Sequence, residues 1–241
     1  MERCDFLPVS AEEMHERGWW WYDALVVGGD AYVDHPSFGT AVISRVLEAE
    51  GLRVAVLAQP DWHDAEAFRA MGRPRLGVFI GAGNLDSMVA HYTAAKRRRS
   101  EDFYSPGKRS GCRPDRAAIV YCNRAREAFG PDMPIILGSL EASLRRFAHY
   151  DYWDDSVRRA ILFDAPADLL VYGMGEAATI EIAHRLKKKQ SVRTMTDIPG
   201  TGYITRDPAV CKFEHITLPS FEDVRDDKRL YAEATRTEYA E

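Results

Sequence analysis

Two stretches of the chain gather side chains capable of chemistry. In the first, an apolar run ending at Val27 gives way to Gly28, Gly29 and Asp30, and Asp34, His35 and Pro36 follow before Gly39 opens an amphipathic segment. An acid beside an imidazole can orient a base or present a nitrogen to a metal. The bland alternative is that Pro36 occupies the first position of a helix with His35 near its cap, which needs no ligand. Asp34 and His35 are read as the wall of a pocket. In the second stretch, Glu141, Arg145, Arg146, His149 and Asp151 stand among Tyr150, Tyr152 and Trp153. Helical spacing predicts an i, i+4 pair between Glu141 and Arg145, a structural contact worth about 0.2–0.5 kcal/mol. His149, two residues before Asp151, could form an oriented imidazole; contact with a ligand or another domain, and plain packing, are the alternatives. No residue is assigned as catalytic or as a metal ligand.

The elements that must position these residues follow from hydrophobic pattern. Short apolar runs predict strands at 24–27, 54–58, 76–80, 134–137 and 168–172. Helical patterns at 36–50, 63–71, 84–98, 115–129 and 176–189 separate or follow them, several closed by glycine. Strands alternating with helices predict an α/β fold, a doubly wound, mostly parallel, five-stranded Rossmann-like sheet. Small and polar residues follow the strands, among them Gly29 and Asp30, Gly81, Gly83 and Asn84, Ser139, and Gly173, Gly175 and Glu176. The carboxyl edge of an open parallel sheet is where such folds bind ligands, so these residues are candidates. Gly81-Ala82-Gly83 is not a dinucleotide fingerprint, because the third glycine would fall at Asp86. No P-loop, HExxH or GxSxG pattern occurs.

With 241 residues, 46% hydrophobic and 29% charged, the composition is that of a globular protein. No apolar run is long enough to span a bilayer, and the first residues lack the layout of a secretory signal, so a cytoplasmic protein is expected. Cys4, Cys112, Cys122 and Cys211 form neither CxxC nor CxxxCxxC, so a reduced compartment fits and a cysteine-only metal site does not. Net charge is −5, but residues 96–126 carry ten Lys or Arg against three acids. That segment is either a solvated loop or a docking site for RNA or another anionic ligand.

Long uninterrupted blocks carry a more specific signal: GDAYVDHPSFGTAVISRVLEAEG, GAGNLDSMVAHYTAAKRRRSEDFYSPG, RPDRAAIVYCNRAREAF, LGSLEASLRRFAHYDYW and DLLVYGMGE. They closely resemble the N-terminal domain of the YgiQ-type radical SAM proteins, from about Phe6 to the C-terminus. The resemblance implies a cobalamin-binding-like Rossmann domain ahead of a radical SAM barrel. It further implies a [4Fe-4S] cluster and S-adenosylmethionine bound through a CxxxCxxC motif in full-length members. This chain has no such motif and is read as a fragment, with no cofactor expected on it alone and no catalysis without the barrel. Histidine-ligating cobalamin domains carry DxHxxG; Asp34 to Gly39 is one residue short between Asp and His and one long between His and Gly. That spacing speaks against His35 as a cobalt ligand and leaves cobalamin a secondary alternative. The turn from Pro36 to Gly39 is similar to the Pro-rich turn of domains without that ligand, and Gly173 to Glu176 to their GxGE turn. The expected division is an N-terminal segment 1–22, the Rossmann-like domain 23–195, and a connector 196–241 toward a barrel in cis. The rival readings are an autonomous module for a cobalamin- or nucleotide-like ligand, and RNA binding through 96–126.

Overall fold

The computed structural model describes residues 6–240. A six-stranded sheet forms its centre, its strands from edge to edge starting at residues 54, 24, 77, 135, 169 and 201. The strands β1 (Ala24–Gly28), β2 (Val54–Ala58), β3 (Gly77–Gly81), β4 (Ile135–Leu137) and β7 (Leu169–Val171) are those expected from the apolar runs, and all run parallel. The sixth, β8 (Thr201–Gly202), pairs antiparallel with β7. Two residues carry no periodicity, so this strand is invisible in sequence, and it lies within the stretch read as a connector. A separate hairpin joins β5 (His149–Asp151) to β6 (Ser156–Arg158).

Alternating side chains of the parallel strands build two cores. Leu25, Val27, Val78, Ile80, Ile135 and Leu137 face Phe68 of α3 (Glu66–Ala70), Tyr121 of α5 (Ala117–Phe129) and Ala142 of α6 (Ser139–Leu144). Val26, Val54, Phe79, Ile136 and Val171 face Leu47 of α2 (Gly39–Ala49) and Ile182 of α7 (Glu176–Lys187). This is the doubly wound arrangement. The edge strand β2 is covered by the N-terminal segment, where Val56 N–H donates to Pro8 O at 2.9 Å ahead of α1 (Ala11–Glu16). The chain ends in α8 (Phe221–Asp226) and α9 (Lys228–Ala240), and no helix among the described residues is long and apolar enough to cross a membrane.

Two expected helices differ. The first begins at Gly39 behind an N-cap at Phe38, so Pro36 stands in the preceding turn and not at the first helical position. That turn is closed by Phe38 N–H on His35 O at 2.9 Å. The helix expected over 84–98 is only α4, Ser87–His91. Asp86 caps its start, accepting from Met88 N and Val89 N, while the Arg99 guanidinium donates to Val89 O and Tyr92 O at its end. Beyond Tyr92 the chain folds back, Lys96 taking a left-handed φ of 56° and Arg99 N–H reaching His91 O.

The folded-back segment, residues 92–116, lies over the carboxyl edge and is fastened there by one side chain. Arg113 is 1% exposed. Its Nη1 lies 2.8 Å from Asp30 Oδ1, and its Nε and Nη2 donate to Asp102 at 2.9 and 3.0 Å. Removing the cation would strand two buried carboxylates, which costs about 3–5 kcal/mol. Arg113→Met is therefore expected to lower the free energy of unfolding by about that amount in urea titrations, whereas Arg225→Met, at an exposed pair, should leave the midpoint nearly unchanged.

Candidate functional site

The strand ends β1, β3, β4 and β7, with the first turns of α2 and α7, enclose a cavity of about 270 Å³. Its floor is apolar, formed by Val26, Phe79, Ile136 and Val171, the same side chains that pack the α2/α7 face lower down. The rim is small or polar. Of the residues singled out in sequence, Pro36, Gly39, Gly81, Gly83, Ser139, Gly173, Gly175 and Glu176 all line it. Thr40 and Thr179 complete the wall; each lies one turn or less into a helix whose opening glycine was the visible signal.

Close contacts explain why the rim is small. A Cβ on Gly29 would sit 2.0 Å from Ala82 O, and one on Gly83, at φ +111°, would meet Asp30 Oδ1 at 2.3 Å. Gly83 thus makes room for the Asp30–Arg113 pair. Ser139 holds a left-handed φ of 72° directly after β4, and its Oγ accepts from Ala82 N at 3.1 Å. Such strain in a non-glycine residue persists only where surroundings impose it. Asn84 ties the rim together: its N–H donates to Asp30 Oδ2 at 2.7 Å, its Nδ2 to Ser37 O at 2.9 Å, and its Oδ1 accepts from Gly39 N at 3.4 Å.

The remaining candidates lie outside the cavity. Asp34 accepts from Arg45 Nε at 3.1 Å, and this hydrogen bond holds its carboxyl below the usual range. His35 is exposed, its Nδ1 accepting from Ser37 N at 3.1 Å. Burial raises the Asp30 pKa despite Arg113. The expected Glu141–Arg145 pair does not form. Glu141, 1% exposed, instead accepts from Ser87 N, Ser87 Oγ and Ala118 N, capping α4 and α5 from inside the core. Arg145 ends its helix at ψ 21° and turns to Asp86. Nor do His149 and Asp151 form a pair: His149 Nδ1 meets Phe147 O at 3.1 Å, and Asp151 binds Arg116 at 2.9 Å. Burial lowers the His149 pKa. Arg146 pairs with Glu238 at 2.7 Å.

Part of the basic segment is engaged internally, while Arg97, Arg98, Lys108 and Arg109 are exposed. Arg113, Arg116, Arg124 and Arg126 pair with carboxylates, and Arg99 with main-chain carbonyls. Sequence reasoning counted Arg113 and Asp102 only as charges of the basic segment, because charged residues in the loops around 100–103 and 111–115 read as solvated. Among the described residues no group of three or more His, Cys, Asp or Glu is placed to hold a metal ion. Cys112, Cys122 and Cys211 are free thiols, and Cys4 lies outside the described residues. The donor set present does not fit an iron–sulfur cluster.

The family model described as Radical SAM N-terminal matches residues 6–241. The chain belongs to the Radical SAM N-terminal family. It is 54% identical over 241 residues to a UPF0313 protein of Clostridium botulinum strain 657 and 52% identical to one of Clostridium perfringens strain SM101. It spans 37% and 36% of the length of those relatives. Among solved structures it is similar to the radical S-adenosylmethionine methyltransferase TsrM of Kitasatospora setae, determined with cobalamin and a [4Fe-4S] cluster bound. That likeness has a TM-score of 0.48 and 20% identity, covering 76% of this chain and 27% of that one.

The Asp34–Arg45 contact beside the cavity rim gives a pH signature. Because the Asp34 pKa is lowered on folding, its contribution to stability is present above the ordinary carboxylate range and is lost as pH falls through the folded value. The stability difference between the unaltered protein and Asp34→Asn should be constant above about pH 5 and shrink toward zero below about pH 3. Urea titrations across that range measure it.

Proposed function

We propose that this chain is the N-terminal accessory domain of a radical SAM enzyme, and that its sheet-edge cavity receives part of the ligand on which the enzyme acts or depends. The cavity at the carboxyl edge carries this reading. In open parallel sheets the crevice outside the strand ends is the binding position, and here it is bounded by glycines that leave it open. Family membership supports the radical SAM assignment, and the greater length of the relatives leaves room for a barrel in cis. Cluster and S-adenosylmethionine would be held there, since this chain's residues do not fit the cluster. Residues 23–195 would form the ligand-bearing domain and 196–241 the connector.

The shape and chemistry of the cavity fit a flat, largely apolar ring, with Ser139, Thr40 and Thr179 available to polar atoms on its rim. Glu176 places a carboxylate beside the opening, which disfavours a phosphate there. Exposed Leu140, Leu144 and Met174 follow β4 and β7, and they offer an apolar surface for the remainder of the enzyme to cover.

Gly39 provides the test. Gly39 lines the cavity and a Cβ there meets nothing within 4 Å, so Gly39→Phe is expected to crowd the opening while the helix start keeps its backbone. Replacing a helical glycine should leave stability unchanged or raise it by up to about 1 kcal/mol. Equilibrium dialysis with hydroxocobalamin and with adenosine is expected to detect binding of at least one to the unaltered protein and its loss in Gly39→Phe. Equal binding by both proteins would place the ligand elsewhere, and no binding of either would remove the autonomous-module version.

A further inference from the structure

At the opposite, amino edge of the sheet the structure builds a second surface that the proposed function does not use. Arg17, Trp19, Arg53, Trp21 and Arg75 alternate as a ladder of guanidinium and indole groups. The Arg17 and Arg53 guanidinium carbons lie 5.8 and 5.7 Å from the Trp19 ring centre, and those of Arg53 and Arg75 lie 3.9 and 3.4 Å from that of Trp21. Topology produces the sandwich. Trp21 precedes β1, Arg53 precedes β2 and Arg75 precedes β3, and the order β2-β1-β3 sets the two arginines on either side of the indole. Stacking on aromatic faces fixes the guanidinium planes and leaves their N–H edges free for acceptors.

Among the described residues none of the three guanidiniums is in an ion pair with a carboxylate; Arg17 donates only to the Phe6 carbonyl. Of the acids nearby, Asp23 accepts from Arg53 N at 2.9 Å and Glu13 from Val9 N at 2.8 Å, and exposed Glu16, next to Arg17 in the chain, makes no ion pair with the ladder. Beside the ladder Trp20 is 80% exposed, with one face against His15 at 4.6 Å. Three preorganised cations without acidic partners, next to an indole presented to solvent, combine phosphate contacts with a stacking platform. That is the chemistry by which proteins hold single-stranded nucleic acid. Trp19 and Trp21 are flanked by guanidiniums, and the vesicle control below separates nucleic-acid binding from adsorption through exposed Phe6, Val9 and Trp20.

We infer that the amino edge, through Arg17, Arg53, Arg75 and Trp20, binds single-stranded nucleic acid. The surface is separate from the cavity, so its failure would leave the proposed function standing, and the converse holds.

The test is fluorescence anisotropy with labelled twelve-nucleotide oligouridylate and oligothymidylate, added to the protein at 50 and 200 mM salt. Three phosphate contacts should make affinity fall about twentyfold between those concentrations. Trp20→Ala, whose fold is checked by thermal melting, should weaken binding roughly 5- to 150-fold. Arg75→Gln should reduce the slope of log K against log salt by about 0.7. Lys108→Gln, in the segment over the opposite edge, should bind as the unaltered protein does. Binding of either oligonucleotide with this pattern supports the inference, and the tighter of the two distinguishes RNA from DNA. Four results would overturn it: no binding at 50 mM salt, binding indifferent to Trp20→Ala and Arg75→Gln, equal affinity for a duplex of the same length, or retention on phosphatidylglycerol vesicles without oligonucleotide binding.

Discussion

The carboxyl edge of this domain is organised by a single buried cation. Arg113 joins Asp30, at the end of β1, to Asp102, in the segment that crosses the edge, and donates to Ala82 O after β3 at 3.3 Å. Each neighbour depends on it. Gly83 must lack a side chain because Asp30 and Arg113 occupy that space, and Asn84 reaches Asp30 through its N–H while bracing the turn that leads into α2. Asp102 in turn accepts from Tyr104 N and Ser105 Oγ, and Ser105 Oγ accepts from Gln59 Nε2 after β2 at 2.7 Å. One guanidinium therefore sets the relative positions of turns from three strands.

A second hub works by the same logic with opposite charge. Glu141 lies in the core, where burial raises its pKa, and its oxygens are satisfied by donors at the starts of α4 and α5. An acid at a helix N-terminus is favoured by the dipole, and here one carboxylate serves two helices. Because Ala117 N also donates to Ser87 Oγ at 3.0 Å, the start of α5 is fixed to that of α4 as well as to α6. Arg113 lies four residues before Ala117, so the two buried charges act together where the loop over the sheet edge enters α5. Replacing such a network as a whole by apolar groups changes net stability little, whereas removing one member strands the others, so each member is held in place by its partners.

The sequence made the sheet legible because buried parallel strands must be continuous apolar runs, and 24–28, 54–58 and 77–81 have little room to be anything else. The rim of the cavity was legible for a related reason, since strand-to-helix turns that leave an open hollow need small residues. Electrostatic partners were not legible. Glu141 and Arg145 have ideal spacing for a helical pair, yet α6 ends at Leu144, and Arg145 turns to Asp86 while Glu141 takes Ser87 and Ala118. Asp34 and His35 looked like one site, but tertiary contacts send Asp34 to Arg45 and leave His35 in its own turn. Four of the ten cations in the basic segment 96–126 meet carboxylates, and no spacing rule singles out which four. Periodicity reports which face is buried and carries no information about which distant residue a charge will meet.

The two edges of the sheet also differ in what the fold demands of them. At the carboxyl edge, charges are buried, paired and used to shape an apolar hollow, so a ligand there meets a surface whose polar groups are already satisfied apart from a few hydroxyls. At the amino edge, the guanidiniums are stacked on indoles and lack carboxylate partners among the described residues, so nothing in the fold consumes their charge. Strand order alone decides this contrast: residues far apart in sequence, Trp21, Arg53 and Arg75, become neighbours only because β1 lies between β2 and β3. A parallel sheet gives all its strand starts to one edge and all its strand ends to the other. The chain can therefore vary the chemistry of one edge without disturbing the packing that supports the other.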